Sequence, residues 1–288
     1  MYKSLFTGRG QSFAAAAPVS DWKQTKQRDI NCWRLTKRIV ARTFAAALLI
    51  GAGQAHAQTV CADSTGSARV DSTHGNSANW YTFWSNQSGN CGANQLTLNG
   101  NGQYQVKWGL ASNSNMVAGL GWQTGALNRS VSYNFGTFNP GSNSYLALYG
   151  WSSNGTVDWY DGGRPHHVEY YVLHSWGGYN PGTDPSTIKV NNGNPVNIDG
   201  VYYYMYLTYK YGPSYYASGN EWFYQFWLIR QSPLRAPTGT QTINFGNVVS
   251  AWARYGGMHL NSADGYQVIA TEGYGSSGSS GGTVWKNN

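Results

Sequence analysis

The sequence predicts an all-β fold, an antiparallel sandwich or barrel, and three observations carry that prediction. The 288 residues include 37 Gly, 22 Tyr and 13 Trp but few charged groups. That composition suits many strands joined by tight turns, and neither a helical bundle nor a disordered chain. From Asn79 onward, runs rich in Tyr, Trp, Val and Ile alternate with Gly, Asn, Pro and Ser at short spacing, the pattern of strand and turn. Along several of these runs aromatic and polar residues occupy alternate positions, which places them on one side of a strand.

Residues 1–57 stand apart from the rest. They hold nine of the 19 Lys and Arg and two acids, a net of +7, whereas the remaining chain balances to zero. The basic balance therefore belongs to one segment and argues against a nucleic-acid-binding body. Lys37, Arg38 and Arg42 precede an apolar stretch from Thr43 to Gly51, and Ala55-His56-Ala57 fits a small-residue cleavage site. The apolar stretch is short for a bilayer span. The expectation is an export signal with an extended N-terminal region, cut after Ala57, and a secreted mature chain. Cys61 and Cys91 are the two cysteines beyond that point. In an oxidising compartment they are expected to form one disulfide closing a loop of about 30 residues. Residues 58–78, polar and rich in Gly, Ser and Thr, read as an N-terminal extension ahead of a folded domain at 79–288.

Strands are expected at 79–84, 103–110, 115–122, 130–135, 145–151, 167–176, 187–190, 201–211, 221–231 and 265–274. The last is expected to give way to a Gly/Ser turn at 275–280. The stretch NVVSAWARYGG (247–257) differs. Its apolar spacing predicts a single α-helix over about 247–256, capped by Asn247, ended by Gly256-Gly257 and packed on the sheet by Trp252. Strand alternation groups Tyr145, Ala147, Tyr149 and Trp151, then Glu169 and Tyr171, then Phe223, Gln225 and Trp227, and finally Tyr266, Val268, Ala270 and Glu272. An interior face would be Val, Leu, Ile and Phe. These mixed faces read either as a solvated sheet surface or as a sugar groove, in which rings stack on sugars and polar tips bind hydroxyls. The chain has three glutamates, Glu169, Glu221 and Glu272. His166 and His167 point to opposite faces of a strand, so they do not suggest a metal site. His174 and His259 carry no signal of their own.

Four blocks, RPHHVEYYVLHSWGGYNPG (164–182), QFWLIRQSP (225–233), NFGNVVSAWARYGGMHL (244–260) and YQVIATEGYGSSGSS (266–280), carry a resemblance running from about Asn79 to Trp285. This region resembles glycoside hydrolase family 11, the small jelly-roll endo-β-1,4-xylanases. The resemblance implies a β-jelly roll of two curved antiparallel sheets with a deep cleft. It also implies a monomeric catalytic domain at 79–288 that acts on xylan with no cofactor, no metal, no nucleic-acid partner and no membrane partner after signal removal. Glu169 in VEYY matches the nucleophile and Glu272 in ATEG the general acid/base. Such a retaining pair stands about 5–5.5 Å apart, and two nearby carboxyls push each other's pKa apart. Tyr149, Tyr171 and Gln225 match groups that hold the sugar and the nucleophile, Tyr266 a cleft tyrosine and Arg164 a cleft arginine. Trp84 matches the ring that stacks on a glycone-side sugar, and Asn115 the neighbour of the acid/base. Trp151 falls on the same strand face as Tyr149. Glu221 matches no role and reads as surface.

Three departures stand out. Lys210 sits where the family usually has Arg, which keeps the charge and loses the planar fork. The thumb loop reads YGPSYYASGN (211–220), so Tyr215-Tyr216 replace an expected Ile. An insertion at 152–163 follows Trp151 and offers Trp159 and Tyr160 as extra glycone-side contacts. If it walls off that end, the enzyme would release xylobiose from the non-reducing end rather than cut internally. The competing functions are a non-catalytic carbohydrate-binding jelly roll and a hydrolase of another β-1,4-glucan.

Overall fold

The computed structural model describes residues 57–61, 66–69, 76–87, 92–160 and 166–287. The expected export signal, Cys91, Arg164 and the end of the insertion lie outside the described residues. In chain order the first strands are β1 (Gln58–Cys61), β2 (Gly66–Arg69), β3 (Trp80–Ser85), β4 (Gln95–Gly100), β5 (Gln103–Gly109) and β6 (Asn115–Trp122). Next come β7 (Ser130–Asn139), β8 (Ser144–Ser152), β9 (Gly155–Val157), β10 (Val168–Trp176), β11 (Ile188–Lys189) and β12 (Val196–Ile198). Then follow β13 (Val201–Pro213), β14 (Asn220–Arg230), β15 (Gln241–Asn244), the helix α1 (Phe245–Gly256), β16 (Met258–Leu260), β17 (Gln267–Tyr274) and β18 (Ser277–Asn287).

One sheet runs β1-β4-β5-β18-β7-β15, and a larger one runs β11-β13-β14-β10-β8-β17-β6-β3-β2 with β12 beside β13. The pairs are antiparallel except β10 and β14, which run parallel. Alternation separates two environments. Val168, Tyr170 and Val172 of β10 face the interior between the sheets with Phe83, Tyr104, Phe135 and Phe226. Tyr171 and Leu173, on the other side of β10, join Tyr149, Trp151, Phe223, Trp227 and Val268 in a second cluster. The mixed faces expected from sequence are therefore a distinct aromatic layer, turned away from the core. A bulge extends that layer: β10 shifts register against β8 between Leu173 and Ser175. The extra residue reverses the alternation, and Trp176 packs on the aromatic side.

Polar staples join the sheets. Tyr133 on β7 meets His174 Nδ1 at 2.5 Å, and His174 Nε2 meets Tyr203 at 2.8 Å. Tyr104 on β5 donates to the Ile269 carbonyl on β17 at 2.8 Å. Burial presses the His174 pKa down to about 3, so the staple is neutral. A histidine that carried no signal in the sequence is thus a core member of the fold.

The helix forms where expected but begins earlier, at Phe245, with Asn244 rather than Asn247 in the cap position and no side-chain cap bond. Its start is fixed by packing: Phe245 and Trp252 are fully buried and meet edge-on at 6.0 Å. Gly257 ends it in the left-handed region, at φ +57, with its N–H bonded to Ala253.

Two larger differences concern strands. The Gly/Ser run after Tyr274 is not a turn beyond Ser276, because Ser277–Asn287 is a long strand inside the smaller sheet, between β5 and β7. Glycine is required there by close approach. A Cβ on Gly278 would fall 2.2 Å from the Asn139 carbonyl oxygen, and one on Gly282 would fall 2.0 Å from that of Asn134. The segment read as an N-terminal extension also supplies strands, with β1 pairing with β4 and β2 with β3.

Candidate active site

The site is built on the aromatic side of the larger sheet, where β14, β10, β8, β17 and β6 lie in that order. Register aligns its residues across strands. Glu169 stands opposite Gln225 on β14 and Trp151 on β8, and Tyr171 stands opposite Trp227 and Tyr149. Glu169 is buried, with 7% of its surface exposed. Tyr149 Oη donates to its Oε1 at 2.6 Å, and Gln225 Nε2 donates to its Oε2 at 2.7 Å. Each carboxylate oxygen thus has its own donor, which fixes the rotation of the group. Trp151 Nε1 in turn donates to Tyr149 Oη at 2.9 Å, so the tyrosine cannot swing away.

Glu272 lies on β17, opposite Val117 of β6 and Tyr145 of β8. Asn115 Nδ2 donates to its Oε1 at 3.2 Å and Tyr171 Oη to its Oε2 at 3.1 Å. Burial, and then the charges of Glu169 and Glu272, hold the Tyr171 hydroxyl in its protonated form. Its ring is locked by Trp227, stacked at 3.9 Å and 11°. Burial, and secondarily the charge of Glu169, raise the Glu272 pKa to about 7. Lys210 and the bonds from Asn115 and Tyr171 act in the opposite direction. A carboxyl so placed keeps its proton up to near neutral pH and can give it to a leaving oxygen.

The other expected residues divide. Tyr266 packs against Tyr149 at 5.8 Å, and its carbonyl accepts from the Trp151 N–H at 3.4 Å. Trp84 is half-buried on β3, beside Val117 of β6, the residue that also pairs with Glu272. Lys210 is exposed, close enough to act on Glu272. Trp159 and Tyr160 do not line the groove. Trp159 Nε1 donates to the carbonyl of Gly256 at the helix end, at 2.7 Å, and Tyr160 packs against Tyr209 and the core tyrosine Tyr224. The described part of the insertion is drawn to that side because β9 pairs with β16 and His259 meets the Asp158 carboxylate at 3.0 Å.

Sequence reading gave no individual role to two residues, one of which, Trp227, it grouped with Gln225 on one strand face. Trp227 supports Tyr171, and the clue was its place two residues after Gln225. Glu221, read as surface, is half-buried and bonded to His167 at 2.7 Å. An open trough of about 740 Å³ also crosses the smaller sheet near Gln95, Gln105 and Thr283, and its lining includes no Asp or Glu. Paired acids therefore distinguish the aromatic groove.

Comparison with known proteins agrees with the geometry. Residues 76–283 match the family model described as Glycosyl hydrolases family 11. The chain is 37% identical over 202 residues to Endo-1,4-beta-xylanase A of Schizophyllum commune, covering 69% of this chain and 90% of that one. It is 38% identical over 210 residues to Endo-1,4-beta-xylanase 1 of Leucoagaricus gongylophorus, covering 71% and 78%. It is 36% identical over 207 residues to Endo-1,4-beta-xylanase 3 of Pyricularia grisea, covering 71% and 75%.

Proposed function

The chain belongs to glycosyl hydrolases family 11, and from that premise we propose that it hydrolyses β-1,4-xylosidic bonds in xylan by double displacement. Glu169 attacks the anomeric carbon while Glu272 gives its proton to the departing oxygen, leaving a glycosyl ester on Glu169. Glu272, now ionised, takes a proton from water as that water attacks the anomeric carbon and breaks its bond to Glu169, which leaves as the carboxylate with anomeric configuration retained. One observation carries this reading: two carboxyl groups on one groove floor are each held by their own donors, Glu169 by Tyr149 and Gln225 and Glu272 by Asn115 and Tyr171, and the Glu272 pKa is raised to about 7, by burial and then by the charge of Glu169. Tyr149 and Gln225 orient the nucleophile, Trp84 stacks on a glycone-side sugar, and Tyr266 serves as a cleft tyrosine. By the resemblance, Arg164 is assigned to substrate binding, and Lys210 stands where the family usually has an arginine.

The same reading makes residues 79–288 the catalytic domain of a secreted monomer, exported by residues 1–57 with cleavage after Ala57 and carrying a Cys61–Cys91 bridge. The basic flank and short apolar run of the leader support export. The test is hydrolysis of linear xylan by wild type and Glu272→Gln, followed as reducing ends. The variant is expected to lose at least about a hundredfold in rate while keeping its fold, the scale of a lost general acid. Unchanged hydrolysis would reject the assignment. Binding of xylan by wild type without product would favour a carbohydrate-binding jelly roll.

A further inference from the structure

Strands β13 and β14 carry the groove on one face and a second set of aromatic rings on the other. Phe223 and Trp227 of β14 belong to the groove cluster, whereas Tyr224 and Phe226 belong to the core between the sheets. Alternation puts Trp222 on the core side with Tyr224, and register sets Tyr211 opposite Trp222 and Tyr209 opposite Tyr224. Toward the end of the two strands this side runs past the core and reaches the surface. Tyr211 is 57% exposed and Trp222 40%. The described part of the insertion lies against the same rings. Tyr160 packs on Tyr209 at 5.7 Å, and Trp159, 48% exposed, meets Tyr160 edge-on at 6.3 Å. Tyr211, Trp222, Tyr209, Tyr160 and Trp159 thus form one continuous arc of rings behind the groove.

The arc is held in place. Trp222 stacks on Tyr209 at 4.7 Å and 7°, and Tyr211 rests on Trp222 at 5.3 Å. Tyr224 Oη donates to the Tyr160 carbonyl at 3.1 Å, and Trp159 Nε1 to that of Gly256 at 2.7 Å. The arc is also neutral. Among the described residues, the charged ones next to it in sequence turn elsewhere. Lys210 lies on the groove side, opposite Phe223. Glu221 bonds to His167 and Ser214, and Asp158 meets His259. Exposed rings gathered in one patch, rather than scattered singly, mark an interaction site. Fixed rings without charge suit an uncharged partner with flat apolar faces and hydroxyl edges, which is a sugar chain. A nucleic acid or an acidic peptide would find no charge there to answer its own.

We infer that this arc is a second binding site for xylan, outside the groove, with Tyr211, Trp222 and Trp159 as its contact residues. The identity of the occupant rests on the reading of the groove as a xylan site. The two strands that carry the arc present the groove on their opposite face, so one polysaccharide particle can engage both. Once either site is occupied, the other contact forms at high effective concentration, and the protein stays on the polymer between cuts.

The test is the fraction of protein retained by insoluble xylan, measured in a Glu272→Gln background so that the polymer is not consumed. Tyr211→Ala/Trp222→Ala and, at the other end of the arc, Trp159→Ala are compared with that background. The same substitutions in the otherwise native chain are assayed on soluble xylohexaose. The double variant is expected to weaken retention about tenfold and Trp159→Ala about threefold, as when one of two linked contacts is lost. Both should keep kcat/KM on xylohexaose within about twofold of wild type, because a short soluble chain does not draw on the second contact. Unchanged retention of the folded double variant overturns the site, and Trp159→Ala decides alone where the double variant does not fold. A folded variant whose kcat/KM on xylohexaose falls as far as its retention also overturns it, since the rings then serve the groove. Tighter retention by cellulose than by xylan, lost in the same variants, overturns xylan as the occupant. Dimers of wild type that the double variant dissolves would give the arc to a second copy of the chain and overturn it as well. Wild type that is inert toward xylohexaose, with retention as expected, would instead overturn the hydrolase reading of the groove and not the arc.

Discussion

On the proposed mechanism, Lys210 is one of the groups that set the pH at which Glu272 can act as an acid. Its ammonium lowers the Glu272 pKa, against the larger upward effects of burial and of Glu169, and the balance lies at about 7. Removing a nearby cation disfavours the ionised carboxyl and raises its pKa further. Because the acid must hold its proton to act, the basic limb of kcat/KM is expected to move to higher pH in Lys210→Met. It should stay in place in Lys210→Arg, which keeps the charge. A pH profile in which Lys210→Met shifts downward, or not at all, would show that the lysine does not act on the acid. At this scale the sequence was most readable. Glu169, Tyr171, Gln225 and Glu272 lie in the blocks that carry the resemblance, and Asn115 and Tyr149 within its wider span, so these candidates could be named in advance. The surroundings of Glu221 could not, since His167 and Ser214 reach it only through the fold.

Among the elements, β18 marks the limit of sequence reading. Gly and Ser have low strand propensity, and a run such as SSGSSGG offers no alternating apolar side chains to reveal a strand. Its place between β5 and β7 comes from backbone pairing and from neighbours that leave no room for a side chain. Gly282→Ala is therefore expected to destabilise the protein by about 2 kcal/mol or more, as overpacking does, measured as a lower denaturation midpoint. A neutral effect would mean that the β7 backbone yields easily at Asn134. The described part of the insertion departs from the expectation for a related reason. Its aromatic residues were visible, but the side of the sheet they reach is decided by the pairing of β9 with β16 and by the Trp159 bond to Gly256. The helix was legible because 3.6-residue spacing and a terminal Gly-Gly leave a strong local pattern. Its first turn was not, because Phe245 is placed by burial rather than by a cap.

For the molecule as a whole, the groove costs stability that the core supplies. Glu272 has a folded pKa of about 7 against an ordinary value of 4.5. Its protonated form is favoured on folding, so its contribution is fully present below about 4.5 and is lost as pH rises through about 7. At about 1.4 kcal/mol per pKa unit, the loss is on the order of 3 kcal/mol. Glu272→Gln, which cannot ionise, is therefore expected to gain stability relative to wild type between pH 4 and pH 8. Parallel denaturation curves at the two pH values check this, and a constant difference would contradict it. His174 acts in the opposite sense. Its depressed pKa gives a contribution present above 6.5 and lost as pH falls toward about 3, so acid loosens the staple between the sheets. An antiparallel sandwich or barrel was legible from composition and alternation, and the two curved sheets came from the resemblance. The parallel pair among the described residues, β10 with β14, was not, because local sequence does not record which strand becomes a neighbour.

The central claim is that Glu169 becomes covalently bonded to sugar while Glu272 serves as acid and then base. The most direct measurement uses a 2-fluoro xylobioside with an activated leaving group, which slows release of the glycosyl ester. Protein treated with it is digested, and the labelled residue is located by mass spectrometry. One fluoroxylobiosyl group on Glu169 is the expected result. An intact enzyme that turns over xylan yet carries no label, or carries it on a residue other than Glu169, would contradict the account.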